Sequence, residues 1–345
     1  MTHTSTPATA PSASVALPKH ILVGYWHNWQ AEATRFIRLR DVPESFDVVN
    51  VAFATSKGGS IGLMDFRPCG GVSADEFKLD MLYLHQQGKK IVVSAGGAKG
   101  SGEIGNAEAE QNFVDSMSAI ILEYGFDGID INLEGGVFLE EGDTDFRNPI
   151  SPSITHLVAA IRKIHARFQP DFIVSMAPET VCVQGGYEKY GGVWGSYLPV
   201  IDGLRDILTY LHVQHYNSGA RLALDGQTYA QGTADFHVAM AEMLLDGFPV
   251  NRNERAIFPM LRPEQIAIGL PARAGAAEAG YTTPEEIRKV LIYLATGRPF
   301  GGNYRLRYSA GYPDFRGLMT WSINWDATRS HQFSRETRSL LDGLG

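Results

Sequence analysis

The chain has 345 residues, of which 44% are hydrophobic and 20% charged, with a formal net charge of −8. This balance excludes a disordered chain and suits either one large α/β barrel or two ordinary domains. No run of 18 apolar residues occurs, so no membrane span is expected, and the acidic balance argues against a nucleic-acid partner while fitting a neutral substrate.

Residues 1–18 are rich in Thr, Ser, Ala and Pro and lack the basic and apolar regions of a secretion signal, so they read as a flexible tail or linker. The folded part is then 19–345. Ile21–Trp26 and Val48–Ala54 are apolar runs that predict strands one and two. Ser73–Gly88 predicts a helix opened by a Ser73/Glu76 capping box. Strand three, Lys90–Ser94, opens into Gly96 and Gly97, and a helix over Glu108–Tyr124 stops at Gly125. Strand four, Phe126–Glu134, follows directly.

In strand four, Ile129, Ile131 and Leu133 alternate with Asp130, Asn132 and Glu134, a period of two that gathers the polar set on one face. Two carboxyls and a carboxamide on so apolar a strand are costly to bury unless hydrogen bonds or a substrate compensate them. The alternation then continues. A helix over Ser153–Phe168 precedes strand five, Phe172–Ala177, and one over Tyr197–Arg205 precedes strand six, Tyr210–Tyr216. Asp235–Leu245 is a helix before strand seven, Ile266–Leu270. Thr283 and Glu286 form a second capping box around Pro284, on a helix running to Thr296, and Gly317–Ser322 is strand eight. Eight strands alternating with helices predict a single-domain (β/α)8 TIM barrel. Only about 46 residues separate strands seven and eight, too few for a large insertion domain, so a shallow, open groove is expected.

A barrel of this kind builds its site at the carboxyl ends of its strands. All five tryptophans fall there: Trp26 and Trp29 after strand one, Trp194 beyond strand five, Trp321 and Trp325 at strand eight. Flat rings on an open face suit stacking on sugar rings, with core packing as the alternative. Glu134, last on strand four, is placed to protonate a leaving oxygen if burial raises its pKa. Asp130, deeper, is expected to hold Asn132. The ten histidines show no HxH or HExxH pairing, and Cys69 and Cys182 lack metal-site spacing, so no metal and no cofactor is expected.

Asp127-Gly128-Ile129-Asp130-Ile131-Asn132-Leu133-Glu134 resembles the DGxDxDxE signature of glycoside hydrolase family 18, the chitinases and their relatives. Tyr25 and Phe53 match aromatic positions of that family, and Ser94-Ala95-Gly96-Gly97 matches its SxGG element. Met176-Ala177-Pro178-Glu179, Gln214-His215-Tyr216-Asn217 and Trp321 match strands five, six and eight. The resemblance implies a chitinase whose substrate supplies its own nucleophile. Glu134 would be the acid, the 2-acetamido carbonyl would attack to give an oxazolinium ion, and Tyr216 would donate to that acetamido oxygen. Trp321 would floor the sugar. Tyr25, Phe53, Gly96, Gly97, Met176, Gln214 and Asn217 would bind substrate, with Trp26, Trp29 and Trp194 flanking. Asp127 and Ser94 would be structural, Ser94 supporting Asp130.

Asn132 stands where the family has its third aspartate. The amide still accepts a hydrogen bond but carries no charge, and preorganised charge of this kind is commonly worth ~3 kcal/mol in the transition state. The chain is therefore expected to be an altered or naturally attenuated hydrolase of β-1,4-linked N-acetylglucosamine polymers. An endo-β-N-acetylglucosaminidase acting on N-glycans, or a chitin-binding lectin-like pseudoenzyme, is the alternative. The expected partner is chitin or its oligosaccharides, with no nucleic acid and no membrane, and the expected form is a secreted monomer.

Overall fold

Strands of a parallel barrel are buried on both faces and so read as nearly continuous apolar runs. In the computed structural model, which describes residues 16–58, 60–98 and 102–345, these runs form eight strands. They are β1 (Ile21–His27), β2 (Val48–Ser56), β3 (Lys90–Gly96), β4 (Gly128–Asn132), β5 (Ile173–Met176), β6 (Tyr210–Gln214), β7 (Ile266–Pro271) and β8 (Gly317–Trp321). Each pairs in parallel with the next, and β8 returns to β1 with Ile21 opposite Gly317 and Gly24 opposite Thr320, so the barrel closes as expected.

Helices α1 (Ala74–Gln86), α2 (Ala107–Tyr124), α3 (Pro152–Phe168), α4 (Leu198–Leu204), α5 (Ala234–Asp246), α6 (Pro284–Thr296), α7 (Ile323–Ala327) and α8 (Gln332–Asp342) lie outside. The Ser73/Glu76 box is formed at the start of α1. At α6, Thr283 caps the Glu286 N–H, but the Glu286 carboxylate does not reach back to close a box. It accepts instead from the Ala234 N–H at 2.7 Å, so it ties α6 to the start of α5.

Between β7 and β8 the described residues hold α6 and no inserted strand pair, in keeping with the short spacing. Residues 1–15 of the expected tail lie outside the described residues. At the end of that tail Leu17 packs against the barrel's inner core and Arg316 donates to Pro18 O at 2.9 Å.

Strand register decides what faces inward. Ile129 and Ile131 of β4 join the core between strands and helices, while Ile21, Val23, Val48, Val92, Ile173 and Tyr210 fill the barrel's lower interior. One level up, Ser94, Asp130 and Ser175 stand side by side on β3, β4 and β5. The site is built on that polar layer.

Candidate active site

Asp130 is fully buried, and four side chains turn a hydroxyl or ring N–H on it. Tyr25 and Ser94 donate to Oδ2 at 2.5 and 2.7 Å, and Ser175 and His212 reach Oδ1 at 2.8 and 2.9 Å. Burial pushes this carboxyl up, but His212 and the donated hydrogen bonds outweigh it and leave the group below its ordinary value. Asp130 was expected to hold Asn132, yet it makes no hydrogen bond to it. Its acceptor capacity is taken by neighbours at its own level of the barrel. Ser175 and His212 went unassigned from sequence, although the inward parity of β5 and β6 points to both. Asp127 sits at the base of β4, where Oδ2 accepts from the Ile91 N–H at 2.8 Å and Lys90 Nζ lies 3.2 Å from Oδ1.

β4 ends at Asn132, so Glu134 is not on the strand as expected but two residues past it, in a turn whose N–H donates to Asn132 O at 3.0 Å. Gly135 follows at φ +74°, a left-handed conformation that glycine adopts without strain. Gly96 and Gly97 serve close approach. A Cβ on Gly96 would lie 2.4 Å from Asn132 O, and one on Gly97 would lie 2.6 Å from the Phe53 ring.

Gln214, inward on β6, holds the polar groups above Asp130. Its Nε2 donates to Ala177 O at 2.9 Å and to Glu134 Oε1 at 3.3 Å. The Asn132 amide can accept from Gln214 Nε2 at 3.3 Å, or turn its nitrogen to donate to Glu134 Oε1 and Ala177 O, both at 3.2 Å. The second orientation satisfies two acceptors and is the one the surroundings favour. The half-buried Glu134 carboxyl is raised above its ordinary value, chiefly by burial and further by the charge of Glu179. The amides of Gln214 and Asn132 act in the opposite sense.

Tyr216 borders the same cleft, and its hydroxyl has no hydrogen-bond partner among the described residues. Burial keeps it a neutral phenol. Asn217, at φ 51°, locks the loop behind it, accepting from the Ala279 N–H at 3.0 Å and donating its own N–H to Ala279 O at 3.1 Å.

Aromatic rings form the opposite wall. Trp321 and Trp29 both lie nearly parallel to Phe53, at 6.0 Å and 14° and at 6.0 Å and 18°, and 6.2 Å from each other, so the three rings form a cluster. His27 lies flat on Trp29 at 4.2 Å, and burial holds its imidazole down to about 3, so it is a neutral ring in the stack. Together these groups enclose a cleft of about 660 Å³ that brings Tyr25, Phe53, Gly96, Gly97, Asn132, Glu134, Gln214, Tyr216, Asn217 and Trp321 together.

Three expected binding residues are elsewhere. Trp26 alternates outward between Tyr25 and His27, is 1% exposed, and donates its indole N–H to Ile37 O beside Phe36 and Phe77. Met176 is likewise outward on β5 and fully buried in the outer core. Trp194 lies outside the cleft lining, beneath the Arg221 guanidinium at 5.0 Å. Trp29 supplies the wall that Trp26 was expected to extend. Glu179, quoted in the sequence motif without a role, borders the cleft.

Among the described residues no cluster of three His, Cys, Asp or Glu side chains could hold a metal ion. Cys69 and Cys182 are free, and burial pushes the Cys182 thiol up to about 12. What the cleft offers is a carboxyl held above its ordinary pKa by burial, a phenol and an amide beside stacked rings. That set suits acid-catalysed cleavage of a polar, ring-shaped substrate.

Residues 21–334 match the family model described as glycosyl hydrolases family 18. Chitinase Chi52 of Paenibacillus xylanexedens is 52% identical over 324 residues, covering 94% of this chain and 62% of that protein. Chitinase D of Niallia circulans is 51% identical over 325 residues, again 94% of this chain and 62% of the relative. The crystal structure of a family GH18 chitinase from Chromobacterium violaceum superposes with a TM-score of 0.86 at 40% identity, covering 98% of this chain and 87% of that one. The chain thus spans about three fifths of the length of both curated relatives.

Proposed function

The chain belongs to glycosyl hydrolases family 18, and from that premise we propose that it hydrolyses β-1,4-linked N-acetylglucosamine polymers with retention of anomeric configuration. The observation that carries this reading is the half-buried Glu134, its pKa raised by burial, on the same cleft as an aromatic wall and the open Tyr216 hydroxyl.

In this mechanism Glu134 gives its proton to the glycosidic oxygen as the bond to the anomeric carbon breaks. The acetamido carbonyl oxygen of the same sugar forms the new bond to that carbon, and the positive charge passes into an oxazolinium ring. Tyr216 donates its hydroxyl to that oxygen and orients it. Trp321 packs beneath the ring, and Tyr25, below it, stays a phenol because burial and the Asp130 charge raise it well above its ordinary value. Water then attacks the anomeric carbon, passing its proton to the Glu134 carboxylate, which restores the acid.

Asn132 sits beside Glu134 without the charge that would balance the oxazolinium, so binding is retained and turnover is reduced. The cleft is complete within one chain, which supports action as a monomer. A polymeric substrate supports action outside the cell. No helix of the described residues is long and apolar enough to cross a membrane. The test is digestion of N-acetylglucosamine oligosaccharides with the new anomeric proton followed by NMR. A β product at early times is expected, and an α product would sink the mechanism.

A further inference from the structure

The reaction employs Glu134 and makes no contact with a second carboxyl of the cleft, Glu179, whose charge raises the acid from a distance. Glu179 follows β5, and its backbone is fixed beside β6. It forms a parallel bridge with Gln214, Gln214 N–H donates to Pro178 O at 2.9 Å, and Thr180 Oγ1 donates to Gln214 O at 2.6 Å. Since Gln214 also donates to Glu134 at 3.3 Å, one residue anchors the mountings of both carboxyls.

The Glu179 side chain is exposed and has no hydrogen-bond or ion-pair partner among the described residues. Among the described residues no Lys, Arg or His side chain lines the cleft around it. A fully acetylated sugar polymer is neutral and gains nothing from such a charge that an amide could not supply. A cation gains a charge-assisted hydrogen bond. In a polymer of 2-acetamido sugars that cation arises wherever an acetyl group is missing, as the C2 ammonium of a 2-amino-2-deoxyglucose unit.

We propose that Glu179 is a specificity-determining residue that selects a unit with a free C2 ammonium beside the reacting sugar. The inference rests on the hydrolase reading above. The reacting sugar must keep its acetyl group, since that carbonyl is the nucleophile. The ammonium therefore belongs to a flanking unit.

The experiment digests two probes with the full chain: fully acetylated chitohexaose, and chitosan oligomers of mixed acetylation. Mass-spectrometric sequencing of the products then identifies the units on each side of every cut. The expected result is glucosamine enriched about threefold or more at one flanking position, the size of a solvent-exposed charge pair. The enrichment is expected to fall towards random in Glu179→Gln and in 0.5 M salt, and to survive in part in Glu179→Asp. The ratio of kcat/KM on the two probes should fall with it in Glu179→Gln. Random flanking units with wild type, or enrichment unchanged in Glu179→Gln and insensitive to salt, would overturn the assignment while leaving the hydrolase reading intact. Failure of both this chain and its Asn132→Asp form to cleave either probe would remove the hydrolase reading and the inference with it.

Discussion

With its nitrogen turned inward, Asn132 donates to Glu134 Oε1 at 3.2 Å, so the residue two places before the acid acts directly on the acid's charge. An amide here stabilises the Glu134 carboxylate, whereas a carboxylate would oppose it. Asn132→Asp is therefore expected to raise kcat on chitin oligosaccharides by about a hundredfold with little change in KM. Steady-state kinetics of the two forms checks this, and equal turnover would remove Asn132 from the account.

The same geometry sets a pH dependence. Burial first, and the charge of Glu179 next, raise Glu134 above its ordinary value, so the alkaline limb of kcat/KM should lie above the usual glutamate range near 4.3. Asn132→Asp adds a neighbouring negative charge and should move that limb further up. Glu179→Gln removes one and should move it down. A pH–rate profile in which neither variant shifts the limb would contradict Glu134 as the acid.

Glu134→Gln keeps the shape of the site but has no proton to give. Hydrolysis should fall by about a hundredfold or more. Calorimetry with a chitin oligosaccharide should still show binding. Residual activity equal to wild type would reassign the acid.

Trp26 and Trp29, three residues apart, should separate stability from binding. Trp26→Ala empties a packed site between β1 and the helices and should cost about 3 to 5 kcal/mol in urea unfolding. Trp29→Ala removes part of the cleft wall and should raise KM by roughly tenfold with a small change in stability. The reverse pattern would mean that the wall is misassigned.

Asp130 is a stabilising group whose folded pKa is depressed. Its contribution is present above the unfolded value near 4 and is lost as pH falls through the folded one. Asp130→Ala leaves four buried donors facing no acceptor and should cost about 3 to 5 kcal/mol at neutral pH, with a smaller difference from wild type in acid. Thermal unfolding across pH reads both effects.

Much of this was legible because period-two alternation and a fixed strand order survive without three-dimensional information. Asp130 and Asn132 face inward for the reason their spacing gives, and the eight strands fall close to their expected ranges. The failures have a common cause. Position near a strand end does not say which face a side chain takes, so Trp26 and Met176 were placed in the cleft although alternation turns both outward. Loop residues carry no such period. Trp29 over Phe53, Trp194 under Arg221 and Glu286 reaching Ala234 all depend on where separate segments meet, which no local pattern records.

The paired hydrogen bonds between Asn217 and Ala279 join two loops immediately behind Tyr216. Their consequence is entropic. The conformational freedom that Tyr216 would otherwise lose on meeting a sugar is surrendered when the chain folds, so association does not bear that cost a second time. Ligand should accordingly leave amide exchange at Asn217 and Ala279 nearly unchanged, and this side of the cleft receives its substrate as a rigid mould.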